Sequence, residues 1–298
     1  MAESPLRPNK QQMRAAFEQS AEHYDAVAIL QREVADRLLE RLDLLKMTPA
    51  TVLDLGSGTG HCSAALSERY PKARVSSLDL ASAMVKKTRE RFSKWSRFRR
   101  YHQFVCGDAE SLPFADNSFE MIFSNLTIQW CSDLEQTFSE MKRVLKPGGV
   151  VLYTTLGPDT LKELRASWAA VDEQVHVNTF LDMHDVGDAM LRSRLAEPVM
   201  DMEHLTMTYD DAMTLMRDLK TLGAHNVNPG RNHGLTSPKK LRAVMKTYEQ
   251  FRTTDGVLPA SYEVVYGHAW RAESEKEQVQ QNPGEFAISL DQFGGHNG

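Results

Sequence analysis

The residues best suited to chemistry stand in the first half of the chain. Gly56, Gly58 and Gly60 alternate in D-L-G-S-G-T-G directly behind Asp54, while Asp79, Asp108 and Asn125 each lie at or just past the end of an apolar run. Glycines at this spacing let a chain turn tightly and offer its N–H groups to a ligand at the start of a helix. A pyrophosphate fingerprint would place the third glycine three residues after the second. Here it comes two after, and a carboxylate at the strand end suits a cation better than a pyrophosphate. The loop therefore reads as a nucleotide-type cofactor loop for a cationic ligand. Asp79, in S-S-L-D-L-A, stands where a carboxylate accepts hydrogen bonds from both hydroxyls of a ribose; its plainer role is a helix N-cap, for which Ser82 is better placed. Asp108, in G-D-A-E-S-L-P-F, suits the exocyclic amine of an adenine, or else a turn. Asn125 and Trp130, in S-N-L-T-I-Q-W, put an amide and a large ring at the same edge, where the acceptor substrate would lie; the tryptophan could equally be core.

These residues need strands that end at one edge, and the pattern supplies them. Strands are expected at Thr51–Leu55, Arg74–Leu78, Gln103–Cys106, Phe119–Ser124 and Val150–Thr155. Helices are expected from the glycine loop to about Tyr70, from Ser82, and from about Ser132 to Leu145, where K-P-G-G punctuates. Strands alternating with helices mean a parallel sheet covered on both faces. Met13–Leu45 carries apolar residues at helical spacing and precedes the first strand, so it predicts two helices, broken near His23–Ala26, that cap the sheet. Helices follow at Thr160–Ala170 and His184–Leu195, then a strand at Pro198–Tyr209. A helix-rich section, interrupted by G-A-H-N-V-N-P-G-R-N-H-G, precedes a last strand at Ser261–Trp270. The expected organisation is a cap over residues 1–46, a cofactor-binding core over 47–209, an inserted acceptor lid over 210–258, the last core strand over 259–271, and a polar, disordered tail over 272–298.

Composition narrows the function classes. A net charge of −5 with 25% charged residues gives no global pull toward nucleic acid or membrane. Apolar runs stop well short of the ~20 residues that span a bilayer, and the N-terminus lacks a signal-peptide core, so a cytoplasmic protein is the expectation. Three cysteines without paired or metal-type spacing suit a reducing compartment, and the ten histidines form no H-x-x-x-H or similar metal set. His184 and Asp185 read as a structural pair.

The motifs V-L-D-L-G-S-G-T-G, S-L-D-L-A, G-D-A-E-S-L-P-F, S-N-L-T-I-Q-W-C and L-K-P-G-G together resemble the class I S-adenosylmethionine-dependent methyltransferases. Further along, Y-T-T-L-G-P-D-T-L-K-E-L-R, H-V-N-T-F-L-D-M-H-D-V-G-D-A-M-L, L-M-R-D-L-K-T-L-G-A-H-N and Y-E-V-V-Y-G-H-A-W narrow the resemblance to the malonyl-acyl carrier protein O-methyltransferases of biotin synthesis. R-S-R-L at Arg192–Leu195 departs from that pattern, where a Gly-Phe pair is more usual, and the polar tail is longer. The resemblance implies an α/β, Rossmann-like, mostly parallel seven-stranded sheet with a helical cap and a helical insertion between the last two strands. It implies S-adenosylmethionine as methyl donor. Gly56, Ser57, Gly58 and Gly60 would take its methionine part, Asp79 the ribose, Asp108 and Ala109 the adenine, and Asn125 the backbone end of the methionine. Gln31, Asp54 and Leu80 complete the expected cofactor set, with Tyr24 of the cap facing the acceptor.

Methylating a free carboxylate needs no general base, because the acceptor is ionised at neutral pH. It needs alignment, desolvation and a partner for the non-reacting oxygen. Tyr24, Trp130, Arg165 and Arg192 are the acceptor-positioning candidates, and no metal is expected. The implied acceptor is a malonyl thioester on an acidic carrier protein, or on coenzyme A. The basic, aromatic stretch Arg89–Arg100 is the expected docking face, through Arg89, Lys94, Arg97, Arg99 and Arg100. A monomer is expected. Competing readings are a small-acid methyltransferase of the trans-aconitate type, sharing S-N-x-x-x-Q-W, an assembly factor acting on a protein arginine, and a non-catalytic cofactor-binding module.

Overall fold

The apolar runs are buried on both sides, as a parallel sheet between helical layers requires. The computed structural model describes residues 9–94, 102–224 and 236–273. Within them, strands β1 (Thr51–Leu55), β2 (Arg74–Asp79), β3 (His102–Cys106), β4 (Phe119–Ser124), β5 (Leu145–Leu156), β6 (Ala196–Tyr209) and β7 (Leu258–Trp270) form one sheet in the order β3-β2-β1-β4-β5-β7-β6. The first five strands run parallel, and β7 lies antiparallel between β5 and β6. This is the Rossmann-like, mostly parallel seven-stranded arrangement expected.

Helices α1 (Lys10–Ser20), α2 (Tyr24–Val27) and α3 (Ile29–Glu40) precede the sheet. The single turn α2 occupies the predicted break, where Asp25 accepts a 2.5 Å bond from the Thr59 hydroxyl and pairs with Arg91. Helices α4 (His61–Arg69), α5 (Ser82–Arg91) and α6 (Leu134–Val144) connect the parallel strands; α7 (Lys162–Ala169) and α8 (Met183–Arg192) lie between β5 and β6. Between β6 and β7 come α9 (Ala212–Thr221) and α10 (Pro238–Tyr248), the expected insertion. K-P-G-G differs from expectation: β5 already pairs at Leu145, and a bulge shifts the register from Phe119↔Leu145 to Met121↔Val150.

Period-two alternation sorts the core into two layers. Val52, Phe123 and Val150 face Leu38 of α3, Leu215 of α9 and Val244 and Tyr248 of α10. Leu53, Ile122 and Val151 face Phe138 and Met141 of α6 and Met190 of α8. The sheet thus holds the carboxyl ends of β1, β2, β4 and β5 side by side, with α3 of the cap and the α9–α10 insertion packed on the same face.

Candidate active site

The glycine loop forms as its sequence demands. Gly56 and Ser57 donate to the Leu78 carbonyl at 2.8 and 2.9 Å, folding the loop back over the end of β2. Gly56 has φ +77°, and a Cβ there would fall 1.9 Å from Thr127 Oγ1; Gly60 has φ +90°, with Thr88 Cα 2.8 Å from any Cβ. Neither position admits a side chain. The Gly58 N–H donates to Asp79 Oδ2 at 2.9 Å and the Ala81 N–H to Oδ1 at 2.8 Å, so both carboxylate oxygens are oriented with a lone pair to spare. Burial pushes the Asp79 carboxyl up to about 6 against those two bonds, with Glu18 adding to the rise.

Beside this loop opens a cavity of about 500 Å³. Gly56, Gly58, Asp79, Leu80, Asn125, Gln31, Tyr24 and Trp130 all line it, so the fold brings together most of the expected cofactor and acceptor set. The opposite wall is apolar, with Leu161, Leu164, Trp168, Met207, Met216 and Tyr262. The cap closes the roof. Gln31 Oε1 is buried without a hydrogen-bond partner among the described residues, which leaves this lining acceptor able to take a ligand donor. Asn125 Nδ2 donates to the Gln31 carbonyl oxygen at 3.0 Å, and Asn125 Oδ1 accepts from Thr154 Oγ1 at 2.8 Å, tying α3 to the end of β4. Burial and the Asp79 charge raise the Tyr24 hydroxyl well above its usual range, so it stays a neutral donor. Trp130 packs edge-on against Phe17 of α1 with centroids 5.4 Å apart. A smaller cavity of about 40 Å³ shares Gly56, Asp79, Leu80 and Trp130 and adds Asp108 and Ala109.

Several expected site residues lie elsewhere. Asp54 is buried beneath the loop and does not line either cavity; it accepts a bond from the Ser63 hydroxyl, which also pairs with Ser77 at 2.7 Å. Desolvation pushes its carboxyl up to about 7, so it braces α4 instead of meeting a cation. Ser57 and Gly60 also stand off the cavities, Ser57 Oγ lying 3.3 Å from Thr88 Oγ1, and act by shaping the loop. Asp108 is partly satisfied by Lys10 at 2.6 Å. Neither arginine reaches the acceptor space. Arg165 donates to the Pro158 and Thr160 carbonyls at 2.8 Å each, and Arg192 pairs with Glu135 at 3.0 Å on the far side. His184 pairs with Asp182, its own N-cap, at 2.6 Å, and not with Asp185. Of the docking stretch, Arg89 and Lys94 are exposed, while Arg97, Arg99 and Arg100 lie outside the described residues.

Other residues enter the site without having been assigned to it from the sequence. Lys10 bridges Asp108 and Glu110 at 2.6 and 2.8 Å, latching α1 onto the loop after β3. Glu18, and neither Asp79 nor Ser82, supplies the long-range cap of α5, accepting from the Ser82 and Ala83 N–H groups at 2.6 and 2.9 Å. His176, Asp218 and Lys220 also line the cavity. His176 stands in H-V-N-T-F-L and Asp218 and Lys220 in L-M-R-D-L-K-T-L-G-A-H-N, motifs that carried the resemblance but gave these three residues no role in the site. The fold also gathers Asp159, His204 and Glu263 with ligand atoms within 4.8 Å, a grouping that spacing cannot show; none of the three lines the cavity, and Glu263 Oε2 already accepts the Asp159 N–H at 2.8 Å.

Residues 53–153 match a methyltransferase domain family. A malonyl-[acyl-carrier protein] O-methyltransferase of Gallionella capsiferriformans is 52% identical over 265 residues, 88% of this chain and 91% of that protein. Its namesake from Methylovorus sp. is also 52% identical, over 269 residues, 89% of this chain and 90% of the relative. Among solved structures, a putative methyltransferase from Bacillus halodurans aligns with a TM-score of 0.56 at 18% identity, covering 80% of this chain and 99% of that one. The YcgJ protein from Bacillus subtilis gives 0.55 at 19% identity, covering 80% and 100%. At those identities the likeness shows the fold alone.

Proposed function

This chain belongs to the malonyl-[acyl-carrier protein] O-methyltransferase family, and from that premise we propose that it methylates the free carboxylate of a malonyl thioester carried by an acyl carrier protein. It is a methyltransferase that uses S-adenosylmethionine. The observation that carries the acceptor reading is a single cavity in which a glycine loop and a ribose-type carboxylate face an apolar chamber closed by cap and insertion. The product would be a methyl ester whose charge is masked, so that the acyl group resembles an ordinary fatty primer, as the likeness to biotin-synthesis enzymes implies.

The residues present fit the donor. Gly56 and Gly58 leave the loop backbone open, Asp79 offers two oriented oxygens to hydroxyl donors, Leu80 and Met84 supply an apolar face, and buried Gln31 Oε1 awaits a donor. S-adenosylmethionine, when bound, supplies a methyl group already activated by its sulfonium. The chain's own residues bind, align and exclude water. Asp108, held by Lys10, and Ala109 line the adjoining smaller cavity and suit the adenine end. Residues 1–46 act as the cap and 210–258 as the lid. Tyr24 and Trp130 position the acceptor, and the apolar wall strips water from a carboxylate that needs no base. The carrier docks on the face led by Arg89 and Lys94, both exposed. The protein works as a monomer in the cytoplasm, where its thiols stay reduced.

The deciding experiment is transfer of a labelled methyl group to malonyl-carrier protein, with malonyl-coenzyme A, trans-aconitate and malonate in parallel. Label on the malonyl thioester, lost on mild ester hydrolysis, is expected. Label on a small acid alone would overturn the acceptor assignment.

A further inference from the structure

The acceptor's non-reacting oxygen needs a cationic or strongly donating partner, and the structure removes both arginines from contention. Among the described residues that line the cavity, the side chains able to carry positive charge are His176 and Lys220. They differ in how they are held. Lys220 is exposed and forms no described ion pair. His176 is built in: its ring stacks on Trp168, another lining residue, with centroids 3.7 Å apart and planes 14° from parallel. Its Nε2 lies 2.7 Å from Asp172 Oδ1, and Asp172 Oδ2 accepts from Lys240 of α10 at 3.0 Å. His176 and Asp172 side chains are each only 13% exposed. Against the desolvation that would raise it, bonds from Lys240 and His176 hold the Asp172 carboxyl down to about 2, so this partner is an anion.

Resting on the function proposed above, we infer that His176 is the residue that receives the acceptor carboxylate. With Nε2 of the ring engaged by Asp172, the other ring nitrogen, Nδ1, is left to meet the malonyl carboxylate. Stacking on Trp168 and the bond to Asp172 fix the ring plane before the substrate arrives, so little ordering cost falls on binding. Asp172 is a positioning residue: it orients the ring and through Lys240 links it to the lid. The remaining acids on the wall, Asp79 and Asp218, would repel a carboxylate, so the malonyl charge has one favourable end of the chamber.

The test compares malonyl-carrier protein with butyryl-carrier protein, which lacks the carboxylate, on the full-length enzyme. His176→Phe keeps a ring for Trp168 and loses both donors. It is expected to weaken malonyl-carrier binding about ten- to hundredfold, the range for a hydrogen bond to a charged group. Butyryl-carrier and S-adenosylmethionine affinities should hold. Asp172→Asn, which leaves ring and stack, should lose part of the same preference. Equal weakening of both carriers would reduce His176 to a loop anchor, and a malonyl-specific loss in Lys220→Met with none in His176→Phe would hand the role to Lys220. Either result overturns the inference. Wild-type enzyme that fails to methylate malonyl-carrier protein would instead overturn the function on which it rests.

Discussion

Replacing Gln31 by Met tests the donor wall from two sides. Methionine keeps the length and most of the volume of the side chain and removes Oε1, which is buried with no partner among the described residues. An unsatisfied buried polar atom costs about 1–3 kcal/mol, so the ligand-free variant is expected to be more stable than wild type by about that amount. On the proposed assignment the same atom accepts from a donor group of S-adenosylmethionine in the complex, and its removal should then cost about 1–3 kcal/mol of affinity, a rise in Kd of about 5- to 150-fold. The backbone tie is spared, because Asn125 donates to the Gln31 carbonyl oxygen, which any residue provides. Urea unfolding without ligand should show a higher midpoint at unchanged slope. Saturating donor should then add less stability than it adds to wild type, and calorimetry should show the weaker Kd. Lower ligand-free stability, or unchanged donor affinity, would refute the assignment of Gln31.

Other consequences are equally direct. Gly56→Ala forces a side chain into left-handed backbone, costing about 1–2 kcal/mol before any collision, and adds the Thr127 clash; a lowered melting temperature and lost donor binding are expected, and wild-type values for both would contradict the loop geometry. Asp54 titrates at about 7 when folded against a usual 3.8, so the folded state holds the extra proton between these values. Asp54 should therefore make the ligand-free protein less stable as pH rises from about 4 to 7, by up to about 1.4 kcal/mol per unit from this group alone. Asp54→Asn should flatten that slope, Asp79 accounting for part of what remains, and an unaltered slope would remove Asp54 as its source. Charge reversal at Arg89 and Lys94 is expected to raise the KM for malonyl-carrier protein about three- to tenfold at low salt, less at high salt, with donor Kd unchanged; an unchanged KM would take this face out of the docking reaction.

Much of this protein is legible one residue at a time. Period-two apolar runs separate Val52 from Leu53 and Phe123 from Ile122, and so specify a sheet covered on both faces. The glycine loop announces itself because the left-handed turn at Gly56 and the close approach at Gly60 exclude other residues. Asp79 follows from its place at the end of β2. Local periodicity determines the face on which a side chain stands, but not which distant group will meet it. Asp54 has the expected strand-end position, yet it points under the loop because Ser63 and Ser77 gather there. Arg165 and Arg192 look available in sequence, but nearby carbonyls and Glu135 occupy them. Lys10 reaches Asp108 across 98 residues, Glu18 caps α5 across more than 60, and Lys240 reaches Asp172 across 68. Such contacts arise only when helices from opposite ends of the chain pack over the same sheet edge. The glycine loop was therefore written in the sequence, while the cavity wall opposite it was decided by tertiary packing.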